Sequence, residues 1–495
     1  MKPASFLSAA LVVTSLLAPQ AALAAGGDPN PVCSDFPRMG LEYALGSYAS
    51  VGLDPDLEDA LDDHLTDIVT QHPGETIDQI TKGAVVMVAR HSKIVYHKAI
   101  GLRDGNTLLG GSPTQTMPTN AIFDLQSMTK PFTAAVLLEM AADGVIDLDD
   151  LVIDYLPDFA DIEVAGPPPT LALDPNKSSV TIRDMLRYMG GLDVDSADFV
   201  YGVSDPYLML SHEPSVAAPG TSVLYSDITY RLLAHLAEVA YADVAPTPKT
   251  FRQLVSHYVT GPLQLADTDY EPVLTMAIKM PRVAGTGYFS HYDLNPAVPA
   301  GYRRGEVQDD QDWWTQRHNA MFPSVAPTGA GCDGLFSTAL DLGKFAQALL
   351  DNGQVWNPAN CAYEPVLSSA TVAGLTHIQT VDGDGDPLGN PSPTAWWEDL
   401  LSADKAYGFE LNDGVWSVGG SALSGVFKTG GAGTFLIIDP SEDLFIVVLT
   451  NHGLPDMADF LVKFDEMLEE IGPHRIADSV ADAITSSGSG SGSSS

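Results

Sequence analysis

A serine hydroxyl becomes a nucleophile only when a base takes its proton and donors receive the oxyanion that follows. Three short segments of this chain carry residue types for that chemistry, in one order: Ser127-Met128-Thr129-Lys130, Tyr225-Ser226-Asp227 and Lys428-Thr429-Gly430. Ser127 is the candidate nucleophile, and Lys130 and Tyr225 the candidate bases. Lysine serves as a base only when partly neutral, which needs burial or a nearby cation; a phenol flanked by lysines ionises more readily. Lys428, Thr429, Gly430 and Gly431 read as a strand whose glycines let a substrate approach, with the Gly431 N–H turned toward an oxyanion. Lys428 would add positive charge for a substrate carboxylate or for Tyr225. The bland alternatives are a hydrogen-bonded core tyrosine at 225 and an exposed edge-strand lysine at 428.

Context separates these segments from chance. A chain of this length carries roughly two S-x-x-K matches by accident, and Ser402-Ala403-Asp404-Lys405 is a second one. Ser127, however, opens a long helical pattern through Phe132, Ala135, Val136, Leu138, Met140 and Ala141. That places it in a first turn that favours negative charge, with Lys130 three residues on along the same face. Pro131 fits a first turn. The second match has turn residues around it and no long helix after it, and it reads as accidental. Tyr225 follows the turn Pro219-Gly220-Thr221 and precedes a helix beginning near Asp227. Tyr241-Ala242-Asp243 also fits Y-x-D but ends a helix, which makes it the weaker candidate.

The elements around these residues read as follows. A helix runs from Asp56 to Val69, and a hairpin from Gly83–Ala89 to Lys93–Ala99 turns through Arg90-His91-Ser92. Short helical patterns at Val180–Tyr188 and Thr229–Tyr241 lie in a proline-rich middle. After Leu335–Thr338 and a helix over Leu340–Leu350 come strands at Gly414–Val418, Gly425–Thr429, Thr434–Asp439 and Leu444–Thr450, then a helix over Met457–Ile471. The fold class is α+β: one antiparallel sheet built from both chain ends with flanking helices, and a mostly helical region inserted. The boundaries are a signal at 1–24, an N-terminal segment at 25–82, a sheet domain at 83–150 and 330–475, a helical domain at 151–329, and a flexible Ser/Gly-rich tail at 476–495.

Residues 1–24 read as a secretory signal, with Lys2, an apolar run from Phe6 to Leu17 and the Ala22-Leu23-Ala24 cleavage pattern. This implies a periplasmic or extracellular protein cleaved near Ala24 and without a stable membrane anchor. With 24 basic against 64 acidic residues the net charge is −40, which repels nucleic acid and anionic lipid. Cys33, Cys332 and Cys361 permit one internal disulfide in any of three pairings. None stands at metal-ligand spacing from histidines. Asp382-Gly383-Asp384-Gly385-Asp386 resembles the opening of a calcium loop, but Pro387 and Pro393 stand where its glycine and glutamate belong. No metal or cofactor is expected.

The three segments together resemble the serine β-lactamase and penicillin-binding-protein superfamily, whose signature is S-x-x-K, Y-x-N and K-T-G. The likeness is closer to class C β-lactamases, D-Ala-D-Ala carboxypeptidases and family VIII carboxylesterases. It extends to the Gly83–Gly101 hairpin, Asp184–Leu192, Gly334–Leu342 and Ile438-Asp439-Pro440, and covers roughly residues 80 to 470. The resemblance implies that Ser127 is acylated, that Lys130 and Tyr225 are its bases, and that the N–H groups of Ser127 and Gly431 form the oxyanion hole. Asp227 departs from the asparagine of class C enzymes, and Met189-Gly190 from a threonine-serine pair.

The expected protein is an exported serine hydrolase acting on small to medium carboxylic esters. The alternatives are a β-lactamase or D-Ala-D-Ala carboxypeptidase/amidase, and an idle penicillin- or peptidoglycan-binding module. Its partner is a small ester, amide or lactam. Asp227 and Lys428 are expected on one rim of the cleft with opposite signs. Asp227 would then repel acidic substrates, and Asp227→Asn would raise lactam turnover several-fold.

Overall fold

The computed structural model describes residues 42–43, 48–70, 81–103, 115–164, 170–193, 206–270, 275–288, 301–304, 331–357, 362–381, 404–411, 423–451 and 473–484. The signal at 1–24, Ser402, the acidic turn at 382–386, the strand at Gly414–Val418, the helix at Met457–Ile471 and the Ser/Gly end of the tail from Ser486 lie outside them. So do Cys33 and Cys361. Cys332 is a free buried thiol. Among the described residues no helix is long and apolar enough to cross a membrane.

Seven strands form the main sheet: β1 (Glu42–Tyr43), β2 (Gly83–Arg90), β3 (Lys93–Gly101), β4 (Glu410–Leu411), β5 (Val426–Gly430), β6 (Thr434–Asp439) and β7 (Leu444–Thr450). Their order is β1-β3-β2-β7-β6-β5-β4, so N-terminal and C-terminal strands meet at the β2–β7 pair, with Met87 opposite Val447. Every pairing is antiparallel except β1 with β3. The sheet therefore draws on both ends of the chain, as the hydrophobic patterning predicts. The β2–β3 turn is the two residues His91 and Ser92, both at positive φ (52° and 60°), while Arg90 stays in the strand. Such two-residue turns match the twist of the strands they join.

Both faces of the sheet are covered, which is why β2 is buried at all eight positions. Alternation divides it: Val86 and Val88 pack with Leu61, Leu65, Phe435, Ile446 and Val480, whereas Val85, Met87 and Ala89 join Phe132, Phe345, Leu436 and Val447. The first face carries helices α1 (Leu57–Val69) and α6 (Pro473–Asp482), so residues 476–482, expected within the flexible tail, are helical and packed on the sheet. The second carries α2 (Lys130–Ala142) and α5 (Ala339–Leu350). The second cluster also takes in α3 (Ile182–Leu186) and α4 (Asp227–Val244), so the inserted helices share one core with the sheet. α2 is buried on nearly every side, the pattern of a central core helix. A polar group it carries must find its partners inside the protein.

A smaller sheet fixes the approach to α2. Leu335–Ser337 lies between Phe123–Asp124 and Asp269–Tyr270. Leu125 N–H donates to the Leu335 carbonyl at 2.9 Å, and Thr133 Oγ1 donates to Gly331 O at 2.6 Å. The Gly334–Leu342 segment is thus the prop on which the Ser127 turn rests.

Candidate active site

Ser127 lies in a 3-10 turn, Gln126–Thr129, that runs straight into α2. Gln126 before it has φ +45°, a conformation that costs a non-glycine residue about 1–3 kcal/mol and persists only where its surroundings impose it. Asp124 imposes part of it by accepting from Gln126 N–H at 3.1 Å. The third segment presses on the same turn. A Cβ on Gly430 would stand 2.2 Å from the Leu125 carbonyl oxygen, so only glycine lets β5 pass this close. This is the physical reason the K-T-G segment ends as it does.

Around Ser127 the predicted residues converge. Lys130 Nζ donates to Ser127 Oγ at 3.0 Å, and Tyr225 Oη donates to the same oxygen at 2.8 Å. Lys130 and Lys428 flank Tyr225, with ammonium groups 4.9 and 4.7 Å from its ring centroid. Ser127 and Tyr225 are partly accessible; Lys130 is fully buried and Lys428 nearly so. Thr429 and Gly430 lie on β5, and Gly431 follows at its end. Tyr241 is elsewhere, edge-on to His257 and Tyr258.

The loop bearing Tyr225 hangs on backbone carbonyls of the Asp184–Leu192 segment. Val216, Gly220 and Leu224 donate to Gly191, Met189 and Tyr188 respectively, each at 2.8 Å. These bonds ignore side-chain identity, so the Met189-Gly190 departure leaves them intact. Gly190 itself sits where a Cβ would meet the Met185 sulfur at 2.9 Å. Ser226 then caps α4, accepting from Thr229 N–H at 3.1 Å, and Asp227 is the first residue of that helix.

Two ion pairs replace the expected rim. Asp227 Oδ1 lies 2.5 Å from Lys130 Nζ, and Lys428 Nζ lies 2.7 Å from Glu410 Oε1. Lys428 is 2% exposed and lies on no rim, and the Asp227 charge is met by Lys130. Burial pushes the Lys130 ammonium down most strongly, but the Asp227 carboxylate together with the neighbouring Tyr225 and Cys332 offsets it and holds Lys130 well above the usual lysine value. The same pair, against the opposing pull of burial, holds the Asp227 carboxyl below its ordinary range. Lys130 is therefore a charged group that also donates to the Cys332 carbonyl at 3.0 Å. The 2.5 Å contact with Asp227 favours the ammonium form of Lys130.

Asp227→Asn tests this pair. Removing one partner of a buried pair costs about 3–5 kcal/mol, and the 26% exposure of the Asp227 side chain argues for the lower end. Because the folded carboxyl is depressed, the stabilisation is present above its ordinary value of 3.8 and is lost as pH falls through its lower folded value. Denaturant unfolding should show the variant weaker at pH 7 and the two proteins converging below pH 3.8. Equal stability at pH 7 would show that the pair contributes nothing.

Four features of the site were missed in the sequence. Glu410 comes from β4, beside β5, with Glu410 opposite Phe427 in the register. Lys405, half of the S-x-x-K match read as accidental, is fully buried with Nζ 3.9 Å from Glu410 Oε1. Tyr188 stacks on Tyr225 at 5.1 Å, and burial first, then the neighbouring tyrosines, raises its phenol well above the usual value. Arg231 pairs with Asp333 at 3.9 Å beneath the site. Of these only Arg231 left a signal, its i+4 spacing from Asp227 on α4.

The sheet drawn from both chain ends, with its buried central helix carrying a serine at its start, defines a protein of the β-lactamase/transpeptidase fold. A family model described as Beta-lactamase matches residues 61–461, and the chain belongs to that family as a hydrolase of the serine β-lactamase fold. Over 394 residues it is 26% identical to a protein of Salmonella agona (strain SL483) named as a D-alanyl-D-alanine carboxypeptidase, covering 74% of this chain and 78% of that one. Among solved structures, a family VIII carboxylesterase superposes with a TM-score of 0.54 at 18% identity, covering 83% of this chain and 95% of the other. EstCE1, a hydrolase with promiscuous acyltransferase activity, superposes with a TM-score of 0.53 at 17% identity, covering 89% and 98%. At these identities the two structures share the fold.

Proposed function

We propose that this protein is an exported esterase that forms an acyl-enzyme on Ser127 and releases it to water, acting on small to medium carboxylic esters. The observation that carries this reading is the placement of Ser127 Oγ, partly accessible and within 2.8 Å of Tyr225 Oη and 3.0 Å of a charged Lys130. With Lys130 held as an ammonium, Tyr225 is the proton acceptor. In the reacting form Tyr225 has given its phenol proton to solvent, and Ser127 donates to the phenolate across the same contact and passes its proton there as Oγ attacks the ester carbonyl. The N–H groups of Ser127 and Gly431 take the oxyanion. Tyr225 returns the proton to the departing alkoxide as the ester C–O bond breaks. A water then attacks the acyl-enzyme, giving its proton to Tyr225 and its hydroxyl to the acyl carbon, and Tyr225 passes that proton to Ser127 Oγ as the bond to the acyl carbon breaks and the acid leaves. Lys130 and Lys428 keep this region positive while negative charge passes between the two oxygens.

The name of the Salmonella relative favours a second reading, a D-Ala-D-Ala carboxypeptidase or β-lactamase working through the same acyl-enzyme. Assays of p-nitrophenyl butyrate, nitrocefin and a D-Ala-D-Ala peptide on one preparation separate the readings. Ester kcat/KM should exceed the other two by orders of magnitude. Nitrocefin hydrolysis as fast as that of the best ester would make the protein a β-lactamase, and acylation without turnover of any of the three would make it an idle binding module.

A further inference from the structure

The catalytic reading leaves one buried acid without a role. Glu410 is fully buried, and its Oε1 faces two ammonium groups, Lys428 at 2.7 Å and Lys405 at 3.9 Å. Its other oxygen, Oε2, has no hydrogen-bond partner among the described residues. The turn that delivers Glu410 is built tightly. Lys405 N–H donates to Thr380 Oγ1 at 2.9 Å and Leu411 N–H to Asp404 O at 2.8 Å. Gly408, at φ +80°, packs where a Cβ would stand 2.8 Å from Pro131 Cα on α2. The acid is thus held between the start of the Ser127 helix and the Lys428 strand.

We infer that Glu410 is a specificity-determining residue that ties up the Lys428 charge and so reserves the cleft for substrates that carry no carboxylate near the scissile bond. This rests on the ester-hydrolase reading and deepens it by naming the substrate's charge. A lysine beside a reacting serine can anchor a substrate carboxylate only if its charge is available. Here that charge is met at 2.7 Å by a carboxylate with no exposure to water. An incoming anion must either share the ammonium with Glu410, which adds like-charge repulsion, or displace Glu410 and leave it buried with Lys405 alone at 3.9 Å. Both are unfavourable in a desolvated site. A neutral ester meets neither cost. The pairing also keeps the Lys428 ammonium over the Tyr225 ring, so the lysine still acts on the proton acceptor while being withheld from substrate.

The test compares two esters with five-carbon acyl chains, p-nitrophenyl valerate and mono-p-nitrophenyl glutarate, the second bearing a carboxylate. Assays run in about 0.5 M NaCl, where the screening length falls to a few ångströms, so that the net charge of −40 does not act at long range. Wild type should prefer the neutral ester by about 100-fold or more in kcat/KM. Glu410→Gln keeps the side-chain shape and removes the charge. It should raise the ratio of anionic to neutral kcat/KM by roughly 10- to 100-fold, the worth of one charged hydrogen bond, and the gain should fall in KM for the anionic ester. Glu410→Asp retains the charge and should retain the wild-type order of preference.

A wild-type enzyme that takes both esters equally overturns the assignment whatever the variants do. So does a Glu410→Gln enzyme that changes both esters by the same factor, the signature of a merely structural acid. Failure of wild type to turn over either ester overturns the ester-hydrolase reading itself and this inference with it. Turnover without charge discrimination removes the Glu410 assignment alone.

Discussion

Ser127→Ala is expected to abolish ester hydrolysis, by roughly 10⁴-fold or more, while leaving the fold intact. The two effects separate because the hydroxyl is an acceptor for Lys130 and Tyr225 but is essential to neither as a structural partner. Lys130 keeps the Asp227 carboxylate and the Cys332 carbonyl, and Tyr225 keeps its stack on Tyr188. Thermal unfolding should therefore move little. A fluorophosphonate probe should add one adduct to wild type and none to the variant, which reports the nucleophile independently of any substrate. Ser402→Ala, from the other S-x-x-K match, is the control and should behave like wild type. Retention of more than a few per cent of activity in Ser127→Ala would place the chemistry elsewhere.

The second large effect concerns proton transfer. Tyr225→Phe should lower kcat by at least ~10²-fold, the usual scale for losing a positioned proton acceptor. The ring remains stacked on Tyr188 and beneath both lysines, so the loss reports the oxygen rather than packing. Lys130→Ala should cost a similar factor by a different route. It removes the ammonium that keeps charge stable around Ser127 Oγ, and it strands Asp227 without its partner, so its unfolding must be measured beside its kinetics. If the two side chains act on one oxygen as a unit, the double variant should lose far less than the product of the single losses. Independent, multiplying losses would mean that Tyr225 and Lys130 serve separate steps, and the mechanism drawn from their shared contact with Ser127 would fall.

Several parts of this protein were legible in its sequence because short-range geometry encodes them. Three residues along a helix start bring Lys130 under Ser127, since side chains at that spacing share a face. Short apolar, β-branched runs exposed the hairpin at 83–101 and the strands at 434–450, because strands covered by α1 and α6 on one face and by α2 and α5 on the other are apolar at nearly every position. The helix after Tyr225 was legible from the turn Pro219-Gly220-Thr221 before it and the helical pattern over Thr229–Tyr241. None of these needs knowledge of a distant residue.

The meaning of the charges was decided only in three dimensions. Asp227 and Lys428 looked like opposite signs on one rim because sequence shows what a side chain is and not what it faces. In the folded protein each has its own buried counterion. Asp227 meets Lys130 because α4 begins against the start of α2. Lys428 meets Glu410 because a two-residue strand pairs beside β5. A two-residue strand carries no periodic pattern, so no reading of residue spacing could have found Glu410, or have shown that Lys405 is buried beside it in a segment that looked like chance. The sign and position of charge within the cleft depend on long-range register, and register is a property of the packed sheet rather than of any local segment. The residues gathered around Ser127 are thus legible in the sequence, while the partners of their charges are set by tertiary structure.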